Sequence, residues 1–171
     1  MQGFAKAQFK FGTFYEHGKG VARDYKLAFV LYAKAAAQGD ASAQNNLGVC
    51  YKRGEGAVQD YKLAVEWYAK AAAQGHVGAQ HSLGFCYERG VGVAQNYKPA
   101  VEWYAKAAAQ GHASAQFNLG LCYEAGKGVA QDFKAAANWF GKAAAQGDAE
   151  AAKCRDDCLA RLATDARARR A

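Results

Sequence analysis

Residues 35–39 read Ala-Ala-Ala-Gln-Gly, and the same string returns at 71–75, 107–111 and 143–147, each time 36 residues further along the chain. A self-similar period between about 20 and 50 residues is typical of arrays in which one supersecondary unit stacks on the next. Aligned on this string, the chain contains four full units and a degenerate fifth. The sequence therefore predicts a single repeat domain over 1–171.

Each full unit contains a first amphipathic segment. The four units cover 7–42, 43–78, 79–114 and 115–150. In the second unit the apolar residues between Ala43 and Tyr51 fall at i, i+4, i+7 and i+8, which is one stripe of a 3.6-residue helix. This spacing predicts a first helix, helix A, over about residues 40–53.

A second periodic segment follows a Gly-rich turn in each unit and predicts helix B, over about 61–73 in the second unit. Asp60 stands where its carboxylate can accept from the free N–H groups of the first helical turn. Gly75 stands where a left-handed residue ends a helix. The equivalent N-caps in the other units are Asp24, Asn96 and Asp132.

Stacking of the units is needed because one helix pair cannot bury its apolar face alone. We expect the layers to bury the tryptophans of helix B, which are Trp67, Trp103 and Trp139. Glycine interrupts the middle of helix A at three equivalent positions, Gly48, Gly84 and Gly120. Glycine costs a helix about 1 kcal/mol relative to alanine, so we expect a close contact at these positions that a side chain would block.

Composition narrows the class of protein. The chain has 171 residues, of which 51% are hydrophobic, 22% are charged and one is proline, which favours a folded, helical chain. No apolar stretch approaches the ~20 residues of a membrane-spanning helix, and the first residues lack the apolar core of a secretory signal, so the expected location is the cytoplasm. The net charge of +7 comes largely from lysines at fixed repeat positions and a C-terminal arginine cluster. We interpret these cations as solvated helix faces and do not expect nucleic acid as a partner.

A longer pattern recurs in every unit. In the third unit its residues are Ala79, Leu83, Gly84, Tyr87, Gly90, Gly92, Val93, Asn96, Lys98, Ala100, Trp103, Tyr104, Lys106, Ala107, Ala108 and Gly111. With this pattern, residues 2–159 resemble the Sel-1-like repeat (SLR) family, a relative of the tetratricopeptide repeat (TPR). The resemblance implies an all-α, right-handed α-solenoid of stacked helix–turn–helix repeats with helices A on its concave side. It also implies a non-catalytic protein-interaction scaffold or adaptor that binds a peptide or protein on that side and needs no cofactor.

The alternative function comes from cysteine-rich members of the same family, which pair two cysteines in each repeat and are associated with β-lactam binding or hydrolysis. This chain departs from that pattern, because its repeat cysteines occur once per unit, as Cys50, Cys86 and Cys122. Equivalent helices of stacked repeats lie roughly 10 Å apart, whereas a disulfide needs Cα atoms about 4.4–6.8 Å apart. We therefore expect reduced, buried thiols. The sequence also contains no Ser-x-x-Lys motif, so a hydrolase of this kind lacks its nucleophile.

Other motifs have structural interpretations. The Gly-x-Gly strings follow helices rather than strands and occur four times, so we interpret them as turns and not as phosphate-binding loops. Cys154 and Cys158 lie one helical turn apart, but a closed zinc site needs four ligands, so no metal is predicted. His76 and His112 are interpreted as surface residues at the start of helix A, with a pH-dependent role left open. No catalytic residue is predicted.

Superimposing the units separates invariant from variable positions on helix A. The variable positions cluster away from the invariant stripe and combine apolar residues with Asn, His and Arg, as expected of a groove that binds a partner. The candidate partner-binding residues are Phe9, Thr13, His17, Asn45, Val49, Arg53, His81, Phe85, Arg89, Phe117 and Leu121. The alternative is that this face is partly buried against the next helix A.

The two ends of the array differ from its middle. Gln2 and Gly3 align with the close of a helix B, and Phe11 and Phe14 replace the Leu and Cys of the pattern, which predicts an apolar face in water. Terminal repeats normally carry a polar outer face. We therefore expect either self-association at this end or further repeats before it. At the other end we expect a capping helix over about 148–168, followed by a basic tail to 171.

Overall fold

The structure, a computed structural model, describes residues 2–168, with side chains from residue 4 onward. The end of the basic tail, with Arg169 and Arg170, lies outside the described residues. Within that range every regular element is an α-helix, and the fold class predicted from the sequence is confirmed. The helices are α1 (Gln2–His17), α2 (Tyr25–Ala37), α3 (Ala41–Arg53), α4 (Tyr61–Ala73), α5 (Val77–Arg89), α6 (Tyr97–Ala109), α7 (Ala113–Ala125), α8 (Phe133–Ala144) and α9 (Ala149–Ala168).

Helices A and B alternate along the chain. The odd-numbered helices from α1 to α7 are helices A, the even-numbered ones are helices B, and α9 follows α8 in the place of a fifth helix A. In the second repeat α3 and α4 begin and end within a residue of the predicted bounds. At the N-terminus the structure differs from the alignment, because Gln2 and Gly3 belong to the first turn of α1 and do not close a helix B.

The predicted helix caps are confirmed. Asp60 Oδ1 accepts from the backbone N–H groups of Lys62 and Leu63 at 2.8 and 3.0 Å. Gly75 follows α4 with φ +86°, the left-handed conformation that glycine adopts without strain. The N-caps of the other helices B are the predicted Asp24, Asn96 and Asp132. The alternation of caps and glycines thus marks where helices α2 to α7 start and stop.

The chain divides into two compact units, residues 1–95 and 96–171. The first contains α1 to α5 and the second contains α6 to α9. Within each unit, helices that follow one another in the chain pack together. In the first unit, α3 therefore packs on the helix B before it and on the helix B of its own repeat. That the whole chain forms a single repeat domain stays a prediction.

The glycines in the middle of helix A make room for an aromatic ring. A Cβ atom added at Gly48 would lie 2.7 Å from the ring of Tyr68, which is fully buried. In the second unit, a Cβ at Gly120 would lie 2.6 Å from the ring of Phe140. The predicted close contact is confirmed at these two positions, and for Gly84 it stays a prediction.

The expectation of buried tryptophans was wrong. Trp67, Trp103 and Trp139 are only half-buried, and the buried aromatic residue of helix B is the next one along, as at Tyr68. Successive residues point about 100° apart around a helix, so the ring that reaches the glycine of helix A cannot be the indole. Each indole is covered from outside by the lysine three residues later, with Lys70 Nζ 3.9 Å from the ring centroid of Trp67.

The Gly-x-Gly turns link helix A to helix B within each repeat and contact the preceding repeat. The first glycine, as at Gly54 with φ +72°, ends helix A in the left-handed conformation. The second glycine lies against the start of the preceding helix B, because a Cβ at Gly56 would overlap the carbonyl oxygen of Tyr25. Gly92 meets Tyr61, and Gly128 meets Tyr97, in the same way. The turn interpretation is confirmed, and the second glycine also permits close stacking.

Candidate binding surface

The candidate partner-binding residues of the first unit lie on α1, α3 and α5. They fall into two groups by exposure. The exposed residues are the three near the helix C-termini, His17, Arg53 and Arg89. The half-buried residues are Phe9, Thr13, Asn45, Val49, His81 and Phe85. Their half-exposed side chains leave part of this helix face accessible.

The most distinctive cluster surrounds Phe85. Lys52 Nζ lies 5.1 Å from the centroid of the Phe85 ring, and the Arg89 guanidinium carbon lies 5.8 Å from it. Lys52 lies on α3, and Arg89 lies on α5, one helical turn after Phe85. Cations from two successive helices A therefore flank one aromatic ring. We call Val49, Lys52, Arg53, Phe85 and Arg89 the Phe85 patch. Arg53 adds a third cation, paired with Glu55 at 3.6 Å.

Phe9 and Phe117 are placed differently from Phe85. The ring of Phe9 lies 5.8 Å from that of Tyr32, and in the second unit the ring of Phe117 lies 5.6 Å from that of Phe140. Both therefore pack against the buried aromatic residue of helix B in their own repeat. The alternative from the sequence was that this face is partly buried against the next helix A. Phe9 and Phe117 are partly buried, but they contact helix B of their own repeat. Leu121, in contrast, is exposed.

The equivalent face of α1 is bonded internally and carries an acid. The Thr13 hydroxyl donates to the carbonyl of Lys10 at 2.7 Å, and a ring nitrogen of His17 lies 2.9 Å from the carbonyl of Thr13. Glu16 occupies the position of Lys52 and accepts from the Tyr32 hydroxyl at 2.5 Å. Burial and this hydrogen bond raise the pKa of Tyr32. The cationic character of the Phe85 patch is therefore specific to α3 and α5.

The repeat cysteines are core residues, as predicted. Cys50, Cys86 and Cys122 are buried, and all five cysteines are free thiols. Burial raises the pKa of Cys50 to about 12 and also raises that of Cys86. In the part of the chain that the structure describes, no three His, Cys, Asp or Glu residues are grouped as metal ligands.

The two histidines at the start of helix A have a role that the sequence interpretation missed. His76 and His112 are the N-caps of α5 and α7, and their Nδ1 atoms accept from the N–H groups of Ala79 and Ala115 at 3.1 and 3.2 Å. Asp40 caps α3 in the same way. Burial lowers the pKa of both histidines. The signal was available, because aspartate occupies this position in the other units.

A buried glutamine on helix A was also missed. Gln44 donates its amide N–H to the carbonyl of Ala36, on the preceding helix B, at 3.2 Å. Its side-chain oxygen accepts from Gln74, at the end of helix B in its own repeat, at 2.7 Å. Gln80 and Gln116 donate to Ala72 and Ala108 in the same way. One side chain thus bonds two helices B, and its recurrence at every 36th position could have identified it.

Helix pairs stacked through caps, glycine turns and bridging glutamines define an α-solenoid repeat protein. Comparison with protein families identifies the repeat, since residues 5–40, 41–76, 77–112 and 113–148 each match the Sel1 repeat. The chain belongs to the Sel1 repeat family. Each match begins two residues before the units defined from the sequence, with the same period. Sel1 repeat proteins are generally non-catalytic protein-interaction scaffolds.

Solved structures show the same fold. A Sel1 repeat protein from Oxalobacter formigenes is 40% identical over 90% of this chain and 63% of its own, with a TM-score of 0.85. A protective antigen of uropathogenic Escherichia coli with an SLR fold is 41% identical over 88% of this chain and 32% of its own, also with a TM-score of 0.85. This chain therefore spans 63% of the length of the Oxalobacter protein and 32% of the length of the Escherichia coli protein.

A more distant structure is cysteine-rich protein B of Helicobacter pylori, which is 25% identical over 77% of this chain and 94% of its own, with a TM-score of 0.61. A search of curated proteins gave no significant match. Within residues 2–168, the helices are too short or too polar to cross a membrane.

Proposed function

We propose that this chain is a non-catalytic scaffold that binds a peptide or protein on the variable face of its helices A. The observation that carries the proposal is the Phe85 patch, where a half-exposed aromatic ring is flanked by Lys52 and Arg89. Aromatic residues and arginine are the residue types that most often dominate binding energy at protein interfaces. The patch therefore offers an apolar anchor point beside cations that can pair with acidic groups of a partner.

The positions of the patch suit binding because the residues that bridge neighbouring helices lie elsewhere on α3. Gln44 and Gly48 hold α3 against its neighbours, whereas Val49 and Arg53 belong to the side that varies between repeats. At the position of Phe85 the other repeats carry Thr13, Val49 and Leu121. Side chains so different in size and polarity at one position are tolerated where close packing does not dictate them.

The other candidate residues take supporting parts in this proposal. Asn45 and His81 provide polar groups on α3 and α5 of the first unit. The ring of Phe9 packs on Tyr32 and so anchors this face of α1 to helix B. In the second unit Leu121 is the exposed apolar residue of the equivalent position, and Phe117 packs on Phe140.

The chemistry of the nucleophilic and basic side chains supports a non-catalytic role. The thiolate is the reactive form of cysteine, and burial raises the pKa values of Cys50, Cys86, Cys154 and Cys158. The Nδ1 atoms of His76 and His112 are occupied as helix caps. We expect a chromogenic β-lactam to be left unhydrolysed by the purified protein, and turnover above the uncatalysed rate would contradict this part of the proposal.

The binding part of the proposal is tested by identifying and then measuring a partner. Immobilised protein is used to capture partners from a lysate of its source cells, and the captured protein is identified by mass spectrometry and purified. We expect Phe85→Ala and Arg89→Ala each to weaken its affinity by about tenfold or more, the loss typical of a central interface residue. Affinity is measured by titration calorimetry.

Lys62→Ala is the matched control, since Lys62 is an exposed cation on helix B of the same unit. We expect this variant to bind with unchanged affinity. If Phe85→Ala and Arg89→Ala also bind unchanged, the Phe85 patch is not the binding surface. Helicity and melting temperature are recorded for all variants, because a loss of fold would show that these side chains belong to the core.

A further inference from the structure

A second surface, on α1, is apolar and open. Phe4 and Phe11 are 66% and 55% exposed, although phenylalanine is normally a core residue. Phe11 and Phe14 contact each other edge to face and line an apolar groove with Ala7 and Lys10. We call Phe4, Ala7, Gln8, Phe11 and Phe14 the α1 face.

The other repeats show what covers the equivalent residues. Leu47 stands in α3 where Phe11 stands in α1, and it is only 1% exposed because it packs with Tyr32 and Ala36 of the preceding helix B. Leu83 and Leu119 are equally buried, at 2% and 1% exposed. The α1 face is thus the side of helix A that, in the other repeats, packs against the preceding helix B.

Hydrogen bonding leads to the same conclusion. Gln8 is the α1 equivalent of Gln44, and its side-chain oxygen accepts from Gln38 at 2.6 Å, so the bond to its own helix B is made. Its amide N–H group has no acceptor among the described residues, whereas Gln44 donates to the carbonyl of Ala36. The α1 face therefore presents a donor at the position where the C-terminal carbonyls of a preceding helix B lie.

The first glycine turn completes the pattern. A Cβ atom added at Gly20 would meet nothing within 4 Å, whereas one at Gly56 would overlap the carbonyl oxygen of Tyr25, at the start of the preceding helix B. Gly20 lies beyond the C-terminal end of α1, and Gln8 lies in its N-terminal half. Together they mark where the two ends of an antiparallel helix would lie.

We infer that the α1 face is a docking site for the helix B of another Sel1 repeat, an alanine-rich amphipathic helix lying antiparallel to α1. Phe11 and Phe14 would contact its alanine face, Gln8 would donate to a carbonyl in its last turn, and Gly20 would receive its first residue. Unlike a second copy of α1, such a helix satisfies the Gln8 donor as well as the apolar residues.

The experiment uses the purified chain and a synthetic peptide with its own helix B sequence, residues 59–75, acetylated, amidated and labelled with fluorescein. Binding is followed by fluorescence anisotropy. An isolated helix of this length is only marginally stable in water, so we also expect the helical circular dichroism signal to rise on mixing. The control peptide carries Ala72→Lys, which keeps helix propensity but places a charge on the docking side.

Three protein variants locate the site. We expect Phe11→Glu to weaken peptide binding by more than about tenfold, through loss of apolar contact and burial of a charge. We expect Gln8→Glu to weaken it by about fivefold, because the oxygen that accepts from Gln38 remains and only the donor is lost. Leu159→Glu, at another exposed apolar residue, is expected to bind as the parent does.

The inference is overturned if the peptide does not bind, or if it binds Phe11→Glu and the parent equally. It is also overturned if sedimentation shows a dimer that the peptide does not dissociate, since a second copy would then cover the face. Because Phe11 is half-exposed, Phe11→Glu is expected to fold; if its helicity falls, Phe4→Glu replaces it at a still more exposed position.

Discussion

Gly48 and Val49 are neighbours in the chain, yet they lie on two faces of α3 that obey different rules. At Gly48 a single added carbon would lie 2.7 Å from the ring of Tyr68, so the position is fixed by packing. At Val49 the other repeats carry Thr13, Phe85 and Leu121 in the same backbone setting. Helix A therefore has a stacking face, which packing fixes, and a variable face, which we propose for binding, and adjacent residues can lie on different faces.

The largest effect is expected from Gly48→Val. The branched side chain would overlap the Tyr68 ring, and overpacking of this kind costs about 1–3 kcal/mol, which the somewhat higher helix propensity of valine offsets only slightly. We expect the free energy of unfolding, measured by urea denaturation, to fall by about 2 kcal/mol or more.

Val49→Thr is the matched control, because Thr13 already occupies the equivalent position. We expect it to change the free energy of unfolding by less than about 1 kcal/mol, as is usual for a half-exposed site. Equal losses for the two variants would mean that helix A has no division between a stacking face and a variable face.

The next largest effect concerns the glutamine bridge. Gln44→Met keeps the shape of the side chain but removes its bonds to Ala36 and Gln74, so we expect unfolding to become easier by about 2 kcal/mol. Gln8→Met tests the same position in α1, where only the bond to Gln38 is made. Its effect on the free energy of unfolding should therefore be smaller. If the two variants lose the same stability, the bond between repeats contributes nothing.

A smaller effect is expected from pH. Burial lowers the pKa of His76 and His112 in the folded chain, with Asp40 partly opposing the shift at His76. The unfolded chain then binds protons more readily than the folded one, so this stability is present above the ordinary histidine pKa of about 6.5 and is lost as the pH falls below it. We expect the melting temperature to decrease between about pH 7.5 and pH 5.5.

The double variant His76→Asn and His112→Asn should remove part of this dependence, because asparagine caps a helix without titrating and Asn96 already does so in α6. The measurement is a thermal melt at each pH. A variant that keeps the full decrease would show that other groups cause it.

The helices and caps could be predicted from the sequence because the signals for them are local. Asp60 and Gly75 bracket α4, and the 36-residue repeat supplies each signal four times. The burial of Cys50 followed from the helical stripe on which it lies. These features depend on residues within one or two helical turns of each other, and such short-range relations can be read from the sequence.

Features that depend on contact between helices were harder to predict. The sequence predicts a buried indole at Trp67, but this side chain is half-buried. Packing sets the rotation of helix B about its axis, and in that rotation Tyr68, not Trp67, lies against Gly48. Phe9 was grouped with Phe85, yet its ring packs on Tyr32. Chain position alone does not distinguish the aromatic ring that turns inward from the one that stays accessible.

The central claim, that the variable face of helix A binds the partner, is tested most directly by photo-crosslinking. Phe85 and, in a separate variant, Tyr61 are each replaced by p-benzoylphenylalanine; Tyr61 is 42% exposed on helix B of the same unit. After irradiation with the purified partner, we predict a crosslinked product from position 85 and none from position 61. Crosslinking from position 61 without any from position 85 would contradict the account.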